Sequence, residues 1–167
     1  MTQEQQVLFE AFALPLRGLP VSHAWQGHGS AIFLEFGAVA PSTWVRQDGS
    51  HGNPIGEMGL MIQWSWRIEG KRSILCGSWA DGRRWLRALA CLTKTSVASV
   101  ALFGRLPEID LTLSSGVHVV SFMTAHGDPE WTLFDRRGGG SRSLHARRGR
   151  LCVEVDKNQA TPGVVPR

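Results

Sequence analysis

No apolar run in the chain approaches the ~20 residues that a membrane-spanning helix requires, so no membrane span is expected. The first residues lack the basic flank and apolar stretch of a secretory signal peptide. There are three cysteines, Cys76, Cys91 and Cys152, and their wide spacing forms neither a CxxC nor a zinc pattern. An odd, scattered set predicts reduced, buried thiols in a cytoplasmic protein. The histidines, His23, His28, His51, His118, His126 and His145, include no pair at the i, i+4 spacing of a helical metal site and none beside a cysteine. Neither a metal nor a cofactor is expected.

Catalytic signatures are equally scarce. There is no G-x-S-x-G nucleophile elbow. "GHGS" (27–30) spaces two glycines but lacks the strand-to-helix setting of a phosphate loop. Glu108 and Asp110 share one face of an expected strand while Ile109 takes the other, which predicts a solvated pair rather than an acid/base dyad. His126 with Asp128 could orient a general base, but "AHGDPEW" reads more simply as a polar turn before a strand. The chain is expected to be non-catalytic, with His126 and the cysteines the residues on which a catalytic reading would rest.

Acid is missing from one place in particular. Residues 136–150 hold Arg136, Arg137, Arg142, Arg147, Arg148 and Arg150 and no Asp or Glu. The formal charge of +4 comes from 18 basic and 14 acidic residues, so the chain outside this segment is slightly acidic. The basic character is local. "RRGGGSR" resembles the flexible Arg-Gly tracts that hold phosphates, which makes these six arginines the candidate nucleic-acid contact; no aromatic is interleaved with them, and a mobile connection is the plainer reading.

What is present is a globular composition: 43% hydrophobic and 19% charged residues in a chain of 167. That is enough for one domain with its own core, expected over 1–156, with a loose tail at 157–167. Thr2 and Gln5 form a capping box ahead of an amphipathic helix over 3–14. Strands follow at 21–25 and 31–36, with Ile32, Leu34 and Phe36 on one face. Residues 37–59 are rich in Gly, Pro, Ser and Asn and read as a long irregular loop. In "LMIQWSWRI", alternation puts Leu60, Ile62, Trp64, Trp66 and Ile68 on one face of a single strand, so both tryptophans are expected in the core rather than on a stacking platform. Glu69-Gly70-Lys71 is a turn, and "SILCGSW" the returning strand. Ser78 and Asp81 provide a capping pattern for a second helix, about 80–92. Strands at 97–103, 109–113, 117–123, 130–134 and 151–155 complete the pattern.

The order helix end, strand, turn, strand occurs twice. Val21 aligns with Val97, and Ile32, Leu34 and Phe36 with Ile109, Leu111 and Leu113. The expected fold is therefore α+β: two helices packed on antiparallel β-meanders, with an internal pseudo-repeat of helix plus meander.

The strings "GNPIGEMGLMIQWSWRIEGKRSILCGSW", "LPEIDLTLSSGVHVVSFMTAHGDPEWTLFD" and "ARRGRLCVEV" resemble a family of small bacterial proteins of unassigned function, over about residues 15–155. The resemblance transfers no functional residue. By class and size the chain is also similar to immunity proteins of bacterial toxin systems. The long loop carries Trp44, Val45 and Arg46 among polar residues, and Trp and Arg are the usual anchors of protein interfaces. The expected function is a non-catalytic protein-binding domain, an immunity or regulatory partner of a toxin, with Trp44, Arg46 and His28 at the contact. The alternative is nucleic-acid binding through 136–150.

Overall fold

A computed structural model of the chain describes residues 2–156; the tail expected at 157–167 lies outside the described residues. Among the described residues, two α-helices and eleven strands form an α+β fold with more sheet than helix, and both sheets are antiparallel. Helix α1 spans Gln3–Ala13 and α2 spans Gly82–Leu92. The strands are β1 (Val21–Gln26), β2 (Ile32–Ala40), β3 (Ile55–Ile62), β4 (Trp66–Glu69), β5 (Ile74–Gly77), β6 (Val97–Phe103), β7 (Glu108–Leu113), β8 (His118–Ser121), β9 (Trp131–Asp135), β10 (Ser141–Arg147) and β11 (Arg150–Asp156). The six-stranded sheet runs β1-β2-β3-β9-β10-β11, and the five-stranded sheet runs β5-β4-β8-β7-β6.

Local chemistry sets the helix ends. Thr2 and Gln5 cap α1 reciprocally, the Gln5 N–H donating to Thr2 Oγ1 at 3.3 Å and the Thr2 N–H to Gln5 Oε1 at 3.2 Å. At α2 the cap is Asp81 alone, which accepts from the Arg83 and Arg84 amides at 3.0 Å. Ser78, expected to share that role, is instead buried, and its hydroxyl takes the Trp66 N–H at 2.7 Å. A serine between a strand end and a helix start can serve either element, and here it closes the start of β4.

The order of elements recurs. Each helix leads into a three-strand meander, β1-β2-β3 or β6-β7-β8. Each meander is then extended by strands from the other half of the chain, β3 pairing with β9 and β8 with β4. The correspondence reaches single residues. Val21 pairs with Phe36 and Val97 with Leu113, and the ladder is irregular immediately after each. Where the two meanders meet, Pro20 bridges Ser96. The Val21 N–H donates to Thr95 O, and the Val97 N–H to Leu19 O, both at 2.9 Å.

Two tryptophans hold the crossovers. Trp66 opens β4 and Trp131 opens β9, and both are fully buried. The Trp66 indole N–H donates to Ser30 O and that of Trp131 to Pro107 O, each at 2.6 Å. Ser30 lies between β1 and β2, and Pro107 between β6 and β7. Trp66 meets Trp85 of α2 edge-on at 4.5 Å, and Trp131 meets Phe9 of α1 edge-on at 6.2 Å. Such pairs add roughly 0.5–1.5 kcal/mol beyond the area they bury. One core results, drawn from α1, α2 and the facing sides of both sheets.

The single strand expected across 60–68 is two strands in two sheets. Residues 63–65 carry the chain from β3 to β4: the Gln63 N–H donates to Glu130 O at 3.0 Å, and the Ser30 hydroxyl to Trp64 O at 3.1 Å. The apolar alternation runs through the crossover without a break, which is why the sequence shows none. At the crossover the faces part: Trp66 is 0% exposed and Trp64 is 37% exposed. Of the two tryptophans expected in the core, Trp64 is outside it.

Candidate functional site

Both helices bury their apolar faces in the shared core. The outer face of the six-stranded sheet is therefore clothed by its own side chains and by the loop above it. One row across that face runs Trp25, Phe33, Met61, Thr132, His145 and Cys152, and the next runs His23, Glu35, Gly59, Phe134, Ser143 and Glu154. The Trp25 and Phe33 rings stack at 4.0 Å, nearly parallel.

The connection between β2 and β3 is shorter than the irregular stretch expected at 37–59, because both strands extend into it; it spans residues 41–54. It contains its own small turn. Val45 bridges His51, the Arg46 N–H donates to Ser50 O at 2.8 Å, and Ser50 returns its N–H to Asp48 Oδ1 at 2.9 Å. Arg46 donates to His51 O at 2.5 Å and lies 5.9 Å from the Trp44 ring centre. Trp44 remains 63% exposed.

Between this turn and the sheet is a hollow of about 530 Å³. The three partner-contact residues expected from the sequence, His28, Trp44 and Arg46, all line it, with Trp25, Phe33 and Phe134 beside them. His23 flanks the hollow, its Nε2 3.4 Å from Asn53 Oδ1.

The floor holds an ion pair that sequence reasoning missed. Arg136 Nη1 donates to Glu35 Oε2 at 2.9 Å and to Gly56 O at 3.0 Å, and the Gly56 N–H donates to the same carboxylate oxygen at 3.0 Å. The guanidinium also lies 4.8 Å from the Phe134 ring centre. Burial pushes the Glu35 carboxyl above its ordinary range, against the pull of Arg136 and the Gly56 N–H. Gly59 makes room for the pair: a Cβ there would stand 3.0 Å from Glu35 Oε2 and 3.1 Å from Arg136 Nη1. Glu35 sits 101 residues from Arg136; the only sequence signal was a lone acid inside an otherwise apolar strand.

Several arginines of the segment 136–150 are paired with carboxylates of the chain. Arg137 grips the buried Asp135 through Nε at 2.8 Å and Nη2 at 3.0 Å. Arg142 grips the same carboxylate through Nε at 3.0 Å and Nη2 at 2.7 Å, and its guanidinium lies over the Phe12 ring of α1. The two arginines hold the Asp135 carboxyl down to about 2 from an ordinary 3.8, chiefly through Arg137. Arg147 pairs with Asp128 and Glu154. Arg148 occupies the turn between β10 and β11 with φ of 52°, and it and Arg150 are exposed. Four of the six candidate nucleic-acid contacts are thus paired within the chain, three with the buried Glu35 and Asp135 and Arg147 with the exposed Asp128 and Glu154.

The remaining candidates separate. The His126 ring is exposed, with Nδ1 3.9 Å from Glu130. Glu108 and Asp110 share a face, as expected, but serve different partners: Glu108 accepts from Ser121 and from the Met123 N–H, and Asp110 lies 2.9 Å from His118 Nδ1. Cys76 is buried, which raises its thiol pKa. Cys91 and Cys152 are exposed, contrary to the expectation of buried thiols, because each falls on the outward side of an amphipathic element. No family model, no curated protein and no solved structure matches this chain.

Proposed function

We propose that this chain is a non-catalytic protein-binding domain whose contact surface is the turn at 44–51 together with the hollow beneath it. The observation that carries the reading is the exposed Trp44, held by Arg46 and the Val45–His51 bridge over a preformed aromatic recess. A large ring on a braced turn loses little conformational freedom on docking, and Trp and Arg dominate the energetics of interfaces. An immunity or regulatory partner of a bacterial toxin, acting in the cytoplasm, is the instance we favour. It accords with the size and α+β class of the chain. We also read the recurring order of elements as an internal repeat of helix plus meander. Nucleic-acid binding through 136–150 is the weaker alternative, since Arg136, Arg137, Arg142 and Arg147 are each paired with a carboxylate of the chain.

The test is affinity capture from the native cell with wild type and Trp44→Ala in parallel. A stoichiometric protein partner is expected with wild type, with at least thirtyfold weaker binding by the variant, as the loss of a ~2 kcal/mol anchor implies. Capture of no protein, or equal capture by both, would overturn the proposal. Nucleic acid recovered in its place, released steeply by salt, would favour the alternative.

A further inference from the structure

A second cavity, of about 710 Å³, opens where the chain crosses between the sheets. Three tryptophans line it. Trp85 is the buried floor; Trp64 is 37% exposed and Trp79 is 86% exposed. Between them stand hydroxyl and carboxamide side chains, including Ser65, Thr124, Gln26 and Gln63. The lining contains no Asp, Glu, Lys or Arg, and His28 is its one titratable side chain.

We propose that this cavity binds a neutral saccharide. Three features select that chemistry. A lining without charge offers nothing to a phosphate, a carboxylate or an ammonium, and desolvating such a group there would go uncompensated. The exposed indole faces match the C–H face of a pyranose ring, which is apolar although its rim is polar; amphipathic rings are suited to surfaces that are part apolar and part wet. Hydroxyl and carboxamide side chains both donate and accept, as sugar hydroxyls do. The volume lies within the ordinary range of ligand sites, about 300–1,000 Å³. Oligoproline also docks on aromatic grooves, but it only accepts hydrogen bonds, whereas Ser65, Thr124, Gln26 and Gln63 both donate and accept, so the saccharide is favoured. The cavity shares Gln26 and His28 with the hollow beneath the turn, but neither Trp44 nor Arg46 lines it.

The experiment is titration of the full chain, followed by tryptophan fluorescence and calorimetry, with the neutral hexasaccharides of glucose in α-1,4, β-1,4 and β-1,3 linkage, of xylose and of N-acetylglucosamine. Decaproline and AMP serve as comparison probes. At least one hexasaccharide is expected to bind with submillimolar Kd, unchanged between low and high salt. Trp79→Ala, at a side chain the fold does not bury, should weaken binding at least tenfold with the melting temperature preserved, and Gln63→Leu should weaken it similarly. Trp44→Ala should bind as wild type, which separates this site from the protein contact. Binding of no hexasaccharide, preferential binding of decaproline or AMP, or saccharide binding indifferent to both Trp79→Ala and Gln63→Leu would each overturn the proposal.

Discussion

Replacing Asp135 by Asn tests whether the arginine segment is ordered. The carboxylate is buried at the end of β9 and receives four guanidinium hydrogen bonds, two from Arg137 and two from Arg142. Its pKa falls from an ordinary 3.8 to about 2, and each unit is worth about 1.4 kcal/mol, so the ionised form contributes on the order of 2 kcal/mol of stability. The guanidinium ends are themselves partly exposed, so water takes over part of their solvation once the charge is gone; the loss stays near 2 kcal/mol and does not reach the ~3–5 kcal/mol of a fully buried broken pair. The sign follows from the lowered pKa. The contribution is complete above pH ~5, where the unfolded carboxyl is also ionised, and disappears as pH falls through about 2. Denaturant unfolding of wild type and Asp135→Asn at pH 7 and near pH 2 measures this. The variant should be about 2 kcal/mol less stable at pH 7, with the difference shrinking toward zero in acid. Equal stability at pH 7 would mean that the clamp does not form and that 136–142 is the mobile tract its glycines suggest.

Four other outcomes are expected. Trp66→Ala should cost about 3–5 kcal/mol, through a cavity beside Trp85 and an unpaired Ser30 carbonyl, while Trp64→Ala should cost under about 1 kcal/mol; comparable melting temperatures for the two would refute the division of the pair between core and cleft. Gly59→Ala should lose roughly 1–3 kcal/mol by pressing on the Glu35–Arg136 pair, readable in the same unfolding assay. Burial lowers the pKa of His145, outweighing Glu154, and Arg147 lowers it further. Stability should therefore fall as pH drops below ~6.5 toward the folded-state value, and His145→Gln should remove that slope. Changing Arg136, Arg137 and Arg142 together to Ser should destabilise the fold by several kcal/mol, where a solvated loop would tolerate it within about 0.5 kcal/mol.

The parts of the fold legible in the sequence were those governed by local periodicity. The capping box at Thr2 and the burial of Ile32, Leu34 and Phe36 follow from spacings of two to four residues. The recurrence was legible only as far as Leu113. Beyond it the spacing differs, because residues 41–54 intervene in one half where a tight turn serves in the other, and the Trp66–Trp131 correspondence is hidden. The crossover at 63–65 was illegible for a different reason: a chain that changes sheets can keep its alternation. In the candidate site, Trp44, Arg46 and His28 were singled out by residue type, and the structure shows only that they line one hollow. Their convergence, and the arrival of Arg136 on Glu35, depend on strand order, which no local pattern encodes.

The exchange of strands between the halves has a thermodynamic consequence. A fragment ending near Ala80 would present β3 without β9 and carry β4 and β5 without β8, leaving two rows of backbone donors and acceptors unpaired and Phe9 without Trp131. The complementary fragment would suffer the same losses in mirror order. Neither piece has a folded state of its own to fall back on, so the chain should melt as one unit, and the pieces should regain structure only when mixed, with an affinity that reports the free energy of the whole core.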